Sequence, residues 1–128
     1  MEKITVEFIK GFIASNTIDL KPTQTKLCVP IISRICQKML HGIKFDDIKV
    51  CDDLIINGHH RYISSLIVNF DLGQVKSNTT SATKPTEWDI IEFDEQDWDT
   101  SAKIAYLNEL DAMYNGLDIE FIKQITSD

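Results

Sequence analysis

The stretch Leu54-Ile55-Ile56-Asn57-Gly58-His59-His60-Arg61-Tyr62 is the most informative part of this sequence, because it joins two kinds of secondary structure through one glycine. Its first three residues are apolar and suit a buried strand. Gly58 permits a tight turn. Downstream, Ile63, Leu66, Ile67 and Phe70 recur at helical spacing. We therefore predict a strand at 54–56, a turn at Gly58 and a helix that covers residues 62–70.

A glycine turn that leads into a helix is a favourable place for an anion. The first amides of a helix have no partner within the helix and carry partial positive charge, so phosphate binds there readily. Arg61 adds a forked, permanently charged donor, and His59 and His60 can donate to phosphate oxygens or transfer a proton near neutral pH. The alternative is a polar helix start with nothing bound. Adjacent histidines point in different directions, so we predict no metal site here.

The residues before this stretch predict a helix and a strand pair. A helix over residues 29–41 starts with Pro30, carries a continuous apolar stripe and stops at Gly42. Strands at 48–50 and 54–56 follow, joined by a turn at Cys51-Asp52-Asp53. Residues 1–20 fit both a strand and a helix face, and we predict mixed structure for them.

The residues after it predict a loop, a strand and two helices. Residues 73–87 are rich in Ser, Thr, Asn and Lys and predict a long polar loop. A strand is predicted at 88–93. Thr100 suits the cap of a helix over 101–115 that Gly116 ends, and Asp118 suits the cap of a last short helix that reaches Ile125.

The stretch Leu54 to Tyr62 resembles the strand–Gly-x-x-Arg–helix signature of the ParB/sulfiredoxin superfamily. Free serine kinases of this superfamily carry Asp-Gly-His-His-Arg, which is similar to Asn57-Gly58-His59-His60-Arg61 here. The upstream order is similar too, with Leu20-Lys21-Pro22-Thr23-Gln24 before a helix that ends in glycine and a strand at 48–50. The resemblance covers about residues 18–72.

The resemblance implies an α/β (α+β) fold. We expect a compact ParB/sulfiredoxin-like domain with a small mixed sheet flanked by helices and a C-terminal helical extension. The chain of 128 residues suits a single domain over 1–128. Within it we expect a core at 18–72, the polar loop at 73–87, and an acidic strand with helices at 88–128.

The resemblance also implies a ligand class. It places nucleotide phosphates on residues 57–61 and Gln24, with ATP, ADP or CTP and magnesium as the expected cofactors. Phosphoryl transfer, nucleotide hydrolysis and phosphodiester cleavage all occur in this superfamily, and an enzyme with one of these activities is expected if the site is catalytic. His59 and His60 are the predicted catalytic residues, and Arg61 is the predicted phosphate clamp.

Three positions depart from the family patterns. His59 replaces the sulfiredoxin cysteine, so sulfiredoxin chemistry is not expected. Asn57 and Gln24 replace the acids that the kinase pattern has at those positions. An amide is no general base and is a poorer magnesium ligand than a carboxylate, which argues against simple kinase chemistry. Asp52, Asp53 and Asp71 are the acids nearest in sequence that could replace them.

Charge is unevenly distributed along the chain. The net charge is −7, which argues against a nucleic-acid partner bound through bulk charge. Residues 1–64 hold 9 basic and 7 acidic residues, residues 65–128 hold 4 and 13, and seven of the late acids lie in 87–99. Three interpretations stay open for that segment: a solvated edge strand, clustered carboxylates on a metal, or a docking surface for a basic partner. The predicted partner surface consists of Trp88, Asp94, Glu95, Asp97 and Trp98.

The docking surface supports a second hypothesis for function. The chain would then be a non-catalytic interaction protein of the immunity or antitoxin type, whose acidic C-terminal half binds a basic protein. A third hypothesis is a toxin module of a polymorphic toxin, since the superfamily occurs in such proteins.

Composition indicates the compartment. No apolar run approaches the ~20 residues of a membrane helix, and the charged start does not resemble a secretory signal. Cys28, Cys36 and Cys51 are odd in number and lack metal-site spacing. We expect reduced thiols, a cytoplasmic location and no membrane partner.

Overall fold

The structure, a computed structural model, describes residues 3–126 and contains both helices and strands in that range. The α-helices among the described residues are α1 (Val6–Ser15), α2 (Val29–Leu40), α3 (His59–Ile67), α4 (Ser101–Asn115) and α5 (Ile119–Thr126). A 3-10 turn occupies Trp88–Ile90. The strands are β1 (Lys26–Cys28), β2 (Ile48–Cys51), β3 (Leu54–Asn57), β4 (Gln74–Lys76) and β5 (Glu92–Asp94).

The strands form two small sheets. One has the order β3-β2-β4, with β3 antiparallel and β4 parallel to β2. The β2–β3 turn has Asp52 in the left-handed region at φ 53°, a conformation that aspartate tolerates better than most residues. The other sheet pairs β1 with β5 in parallel. This is a compact α+β fold with a small mixed sheet and C-terminal helices, as predicted.

The main core lies between the helices and the three-stranded sheet. It includes Ile32 and Cys36 of α2, Ile63 of α3, Ile55 of β3 and Ile9 of α1, all with no exposed surface. The α2 residues repeat at i and i+4, so the predicted apolar stripe is the face that packs inward.

A smaller cluster attaches the C-terminal helices. It consists of Ile43 after α2, Ala112 of α4 and Ile122 of α5. The C-terminal helices bury few side chains: α4 buries only Asn108 and Ala112, and α5 buries only Ile122. The C-terminal helices therefore add little to the main core and leave space between α4 and α2.

The helix predictions were correct at α2, α4 and α5 and wrong in two other places. Thr100 caps α4 by accepting from the Lys103 amide at 3.1 Å, and Gly116 ends it in the left-handed conformation. The helix predicted over 62–70 instead begins at His59, because Gly58 itself is the N-cap. The mixed structure predicted for the first residues is the helix α1, which Thr5 caps through the Phe8 amide.

Two further predictions need correction. The strand predicted at 88–93 is a 3-10 turn followed by β5, which runs from Glu92 to Asp94. Trp88 causes this difference, because its buried indole N–H donates to the Leu20 carbonyl at 2.8 Å and turns the chain inward. The loop predicted over 73–87 contains β4, whose three residues are all exposed and so lack the apolar alternation that marks a strand. No helix within residues 3–126 is long and apolar enough to cross a membrane.

Candidate functional site

The candidate site starts at the glycine between β3 and α3. Gly58 has φ 103° and ψ 31°, in the left-handed region where a side chain is strained. A Cβ here would lie 2.5 Å from Cγ2 of Ile48. Gly58 is the N-cap of α3, and no side chain caps the helix. The geometry thus requires glycine and leaves the start of α3 without a side-chain acceptor for its amides.

The start of α3 opens into a cleft of about 740 Å³ between α2, α4 and the residues 44–46 that precede β2. This volume is within the range of small-molecule sites. All six residues predicted to bind phosphate line the cleft: Gln24, Asn57, Gly58, His59, His60 and Arg61. Gln24 is 33 positions before Asn57 in the sequence, and the fold brings it to the same cleft.

Both histidines are hydrogen-bonded to backbone amides. Nε2 of His59 accepts from the Thr23 N–H and Nε2 of His60 accepts from the Cys28 N–H, each at 2.9 Å. An imidazole that accepts through Nε2 carries its proton on Nδ1. Burial lowers the pKa of each ring to about 4; for His59 the neighbouring His60 adds to the effect, and for His60 the Asp99 carboxylate opposes it. At neutral pH both rings are therefore uncharged and tie α3 to β1 and the residues before it.

Arg61 fixes the turn beside the cleft. Its Nη1 donates to the carbonyl oxygen of Asp46 at 2.9 Å and to that of Asp47 at 3.4 Å, and its Nη2 donates to Oδ1 of Asn57 at 3.0 Å. A guanidinium has five N–H donors. These contacts leave Nε–H and one Nη2 hydrogen for a ligand, so Arg61 can hold the turn and an anion together.

The cleft contains carboxylates that the sequence did not indicate. Asp52, Asp53 and Asp71 do not line it, whereas Asp46, Asp99 and Asp111 do. The Gln24 amide donates to the Lys26 carbonyl at 2.8 Å and so acts as a local brace. Acids are therefore present in the cleft, although the two predicted acid positions hold amides.

Three cations also line the cleft and were missed as site residues: Arg34 and Lys38 of α2, and Lys44. Lys38 Nζ lies 2.6 Å from Oδ2 of Asp111. Lys44 is exposed, and its ammonium has no ion pair within residues 3–126. The i, i+4 spacing of Arg34 and Lys38 on the polar face of α2 was the available signal.

The acidic segment lies against the cleft, a position that none of its three sequence-based interpretations included. Arg34 forms a bidentate pair with Asp97 at 2.6 and 2.9 Å and contacts Asp99 at 3.2 Å. The Arg34 hydrogen bonds lower the pKa of Asp97 below its usual range. Asp99 also lies 3.2 Å from Lys103. Two carboxylates of residues 87–99, those of Asp97 and Asp99, thus form ion pairs with cations of the same chain.

The predicted partner surface is only partly exposed. Trp88 is 7% exposed, so its prediction as a docking anchor is wrong. Trp98 is 41% exposed, packs edge-on against His60 and donates to Asp94 Oδ2 at 3.0 Å. Glu95 is exposed, whereas Asp97 is paired with Arg34. A basic partner remains a prediction, on a smaller surface than the one expected.

Across residues 3–126, no group of three or more His, Cys, Asp or Glu side chains is arranged to hold a metal ion. Comparisons with protein-family models, curated proteins and solved structures gave no match for this chain. The superfamily resemblance therefore rests on the sequence pattern of residues 18–72 alone.

Proposed function

We propose that this protein is a ParB/sulfiredoxin-like domain that binds a nucleotide or another phosphorylated ligand in the cleft at the start of α3. ATP, ADP or CTP with magnesium are the ligands to test. One observation carries the proposal: Gln24 and residues 57–61, distant in sequence, line one cleft at an uncapped helix start. Backbone amides and the helix dipole at such a start favour phosphate.

The cations of the cleft divide into two kinds. Arg34 and Lys38 are paired with Asp97, Asp99 and Asp111, so a ligand gains from them only by competing with those acids. Lys44 has no ion pair among the described residues, and Arg61 keeps donors available. We assign the phosphate contacts to Lys44, Arg61 and the first amides of α3.

The chemistry that follows binding is assigned to a carboxylate rather than to the histidines. With pKa values of about 4 and Nε2 already accepting, His59 and His60 are weak bases at neutral pH. Asp46 lines the cleft, and its carboxylate has no ion pair within the described range. We propose Asp46 as the magnesium ligand or general base for phosphoryl transfer, nucleotide hydrolysis or phosphodiester cleavage.

The test is a thermal-shift screen with ATP, ADP, CTP and GTP in the presence of magnesium. Ligand at 100 times its Kd stabilises the folded state by about 2.7 kcal/mol, which raises the Tm measurably. Lys44→Ala should reduce the shift, and Lys84→Ala, which removes an exposed lysine outside the cleft, should not. Arg61→Ala is a less direct probe, because it also breaks the contacts to residues 46, 47 and 57. If none of the four nucleotides raises the Tm, the proposal is overturned.

A non-catalytic interaction protein is the second candidate, and exposed Trp98 beside Asp94 and Glu95 favours it. Such a protein would form a complex with a basic partner that dissociates as salt rises. Glu95→Lys should weaken that complex and leave nucleotide binding intact, because Glu95 is exposed and does not line the cleft. This outcome separates the two functions.

A further inference from the structure

Two aromatic side chains, Tyr114 and Phe45, line the cleft and form what we call its aromatic rim. Tyr114, in the last turn of α4, lines the cleft and is 80% exposed. Phe45 lines it too and packs partly against the small C-terminal core. Tyr114 buries little surface in the fold, so its ring is available to a ligand.

The aromatic rim lies close to the proposed phosphate site. The Lys44 backbone N–H donates to Oδ1 of Asn115, next to Tyr114, at 2.9 Å. Two residues further on, the Asp46 carbonyl accepts from Arg61 Nη1 at 2.9 Å. From the N–H of Lys44 to the carbonyl of Asp46 the path is three residues long and spans at most about 11 Å. A nucleotide with its phosphates at Arg61 is long enough to place its base beside Tyr114.

We propose that Tyr114 and Phe45 bind the base of a nucleotide whose phosphates lie at the start of α3 and on Lys44. Aromatic side chains stack on any nucleobase, whereas inorganic phosphate has no ring on which they could stack. The inference rests on the proposed function and deepens it, because it makes the ligand a nucleotide rather than a simple phosphate. Tyr114 is the residue that makes the cleft prefer a nucleotide to a simple phosphate.

The chain provides a matched control for Tyr114. Tyr106 lies on the same helix, is 58% exposed, and does not line the cleft. Replacing either tyrosine by alanine removes the same side chain from a mostly exposed position, so both variants should fold normally. Phe45 is a poorer probe, since it contributes to the packing around Ile43.

The test is isothermal titration of the full chain with magnesium complexes of ATP, CTP, GTP, UTP and inorganic tripolyphosphate. For the tightest nucleotide, Tyr114→Ala should weaken binding about tenfold or more, while tripolyphosphate affinity stays unchanged. Tyr114→Phe should retain nucleotide affinity, because the ring remains. Tyr106→Ala should leave every affinity unchanged.

The outcomes separate the inference from the proposed function. If the wild-type protein binds nucleotides and Tyr114→Ala binds them equally well, the inference is overturned and the proposed function stands. The same holds if tripolyphosphate binds as tightly as every nucleotide. If the wild-type protein binds neither nucleotides nor tripolyphosphate, both fail.

Discussion

His60 Nε2 accepts a hydrogen bond from the backbone N–H of Cys28 at 2.9 Å, which ties the first turn of α3 to the last residue of β1. Cys28 is also the N-cap of α2, so this one contact joins the starts of α2 and α3, two of the helices that border the cleft. His59 makes the equivalent contact with Thr23. The two histidines that looked most catalytic in the sequence hold the walls of the site.

We expect the protein to lose stability as pH falls from about 6.5 to about 4. Both histidines have a folded pKa near 4 and an ordinary unfolded value of about 6.5. Between these pH values the unfolded state binds more protons, so the free energy of unfolding decreases as pH falls. Urea denaturation at pH 7.5, 6.5, 5.5 and 5.0 measures this dependence.

Two variants assign the pH dependence to the right residue. His60→Gln keeps a side-chain acceptor and removes one titrating group, so its stability should fall less steeply with pH. His59→Gln removes the other group with a lowered pKa, so its stability should also fall less steeply with pH than that of the wild type. A His60→Gln curve as steep as that of the wild type would show that His60 is not held neutral.

Gly58→Ala should destabilise the fold by about 2–5 kcal/mol. The positive φ accounts for about 1–2 kcal/mol of this, and the approach of the new Cβ to Ile48 adds an overpacking cost of about 1–3 kcal/mol. Gly116→Ala is the control, because Gly116 also has a positive φ of 63° but has no atom within 4 Å of the added Cβ. Chemical denaturation should show the larger loss at Gly58; equal losses would mean that the close packing around the turn is absent.

Asp111→Asn should weaken the fold and strengthen anion binding at the same time. Lys38 is only 7% exposed in its side chain and pairs with Asp111 at 2.6 Å, and removing one partner of a buried pair costs about 3 kcal/mol. The freed Lys38 then attracts an anionic ligand, so tripolyphosphate affinity should rise severalfold at low salt. Glu109→Gln makes the same charge change on the exposed side of α4 and should alter neither quantity. An Asp111→Asn protein with unchanged affinity would show that Lys38 does not reach the ligand.

Local sequence patterns were sufficient for most of the fold. The apolar stripe of α2 and the caps at Thr100 and Gly116 rest on contacts within a few residues, which a sequence displays directly. β4 and β5 were missed or misplaced because each has three residues and is held by a strand distant in sequence. The inward turn at Trp88 depends on a hydrogen bond to Leu20, 68 positions away.

Six residues of the candidate site were predictable from the sequence, but the other charged residues of the cleft and the chemistry of the site were not. The Gly-x-x-Arg pattern identified residues 57–61, and the family resemblance added Gln24. The sequence identifies residues 59 and 60 as histidines but does not show that both rings are buried and accept hydrogen bonds from backbone N–H groups. The donors belong to Thr23 and Cys28, which lie over 30 positions away in the sequence. The ion pairs of the cleft join α2 to carboxylates between residues 97 and 111, more than 60 positions away along the chain.

The central claim, that phosphate binds at the start of α3, is tested most directly by an NMR titration of backbone amides. ¹⁵N-labelled protein is titrated with magnesium ATP, CTP and tripolyphosphate, with Lys44→Ala and Lys84→Ala measured in parallel. We predict saturable shifts for the amides of Gly58, His59, His60 and Arg61, weaker binding in Lys44→Ala and no change in Lys84→Ala. Saturable shifts confined to other parts of the chain, or no saturable shift with any of the three ligands, would contradict the account.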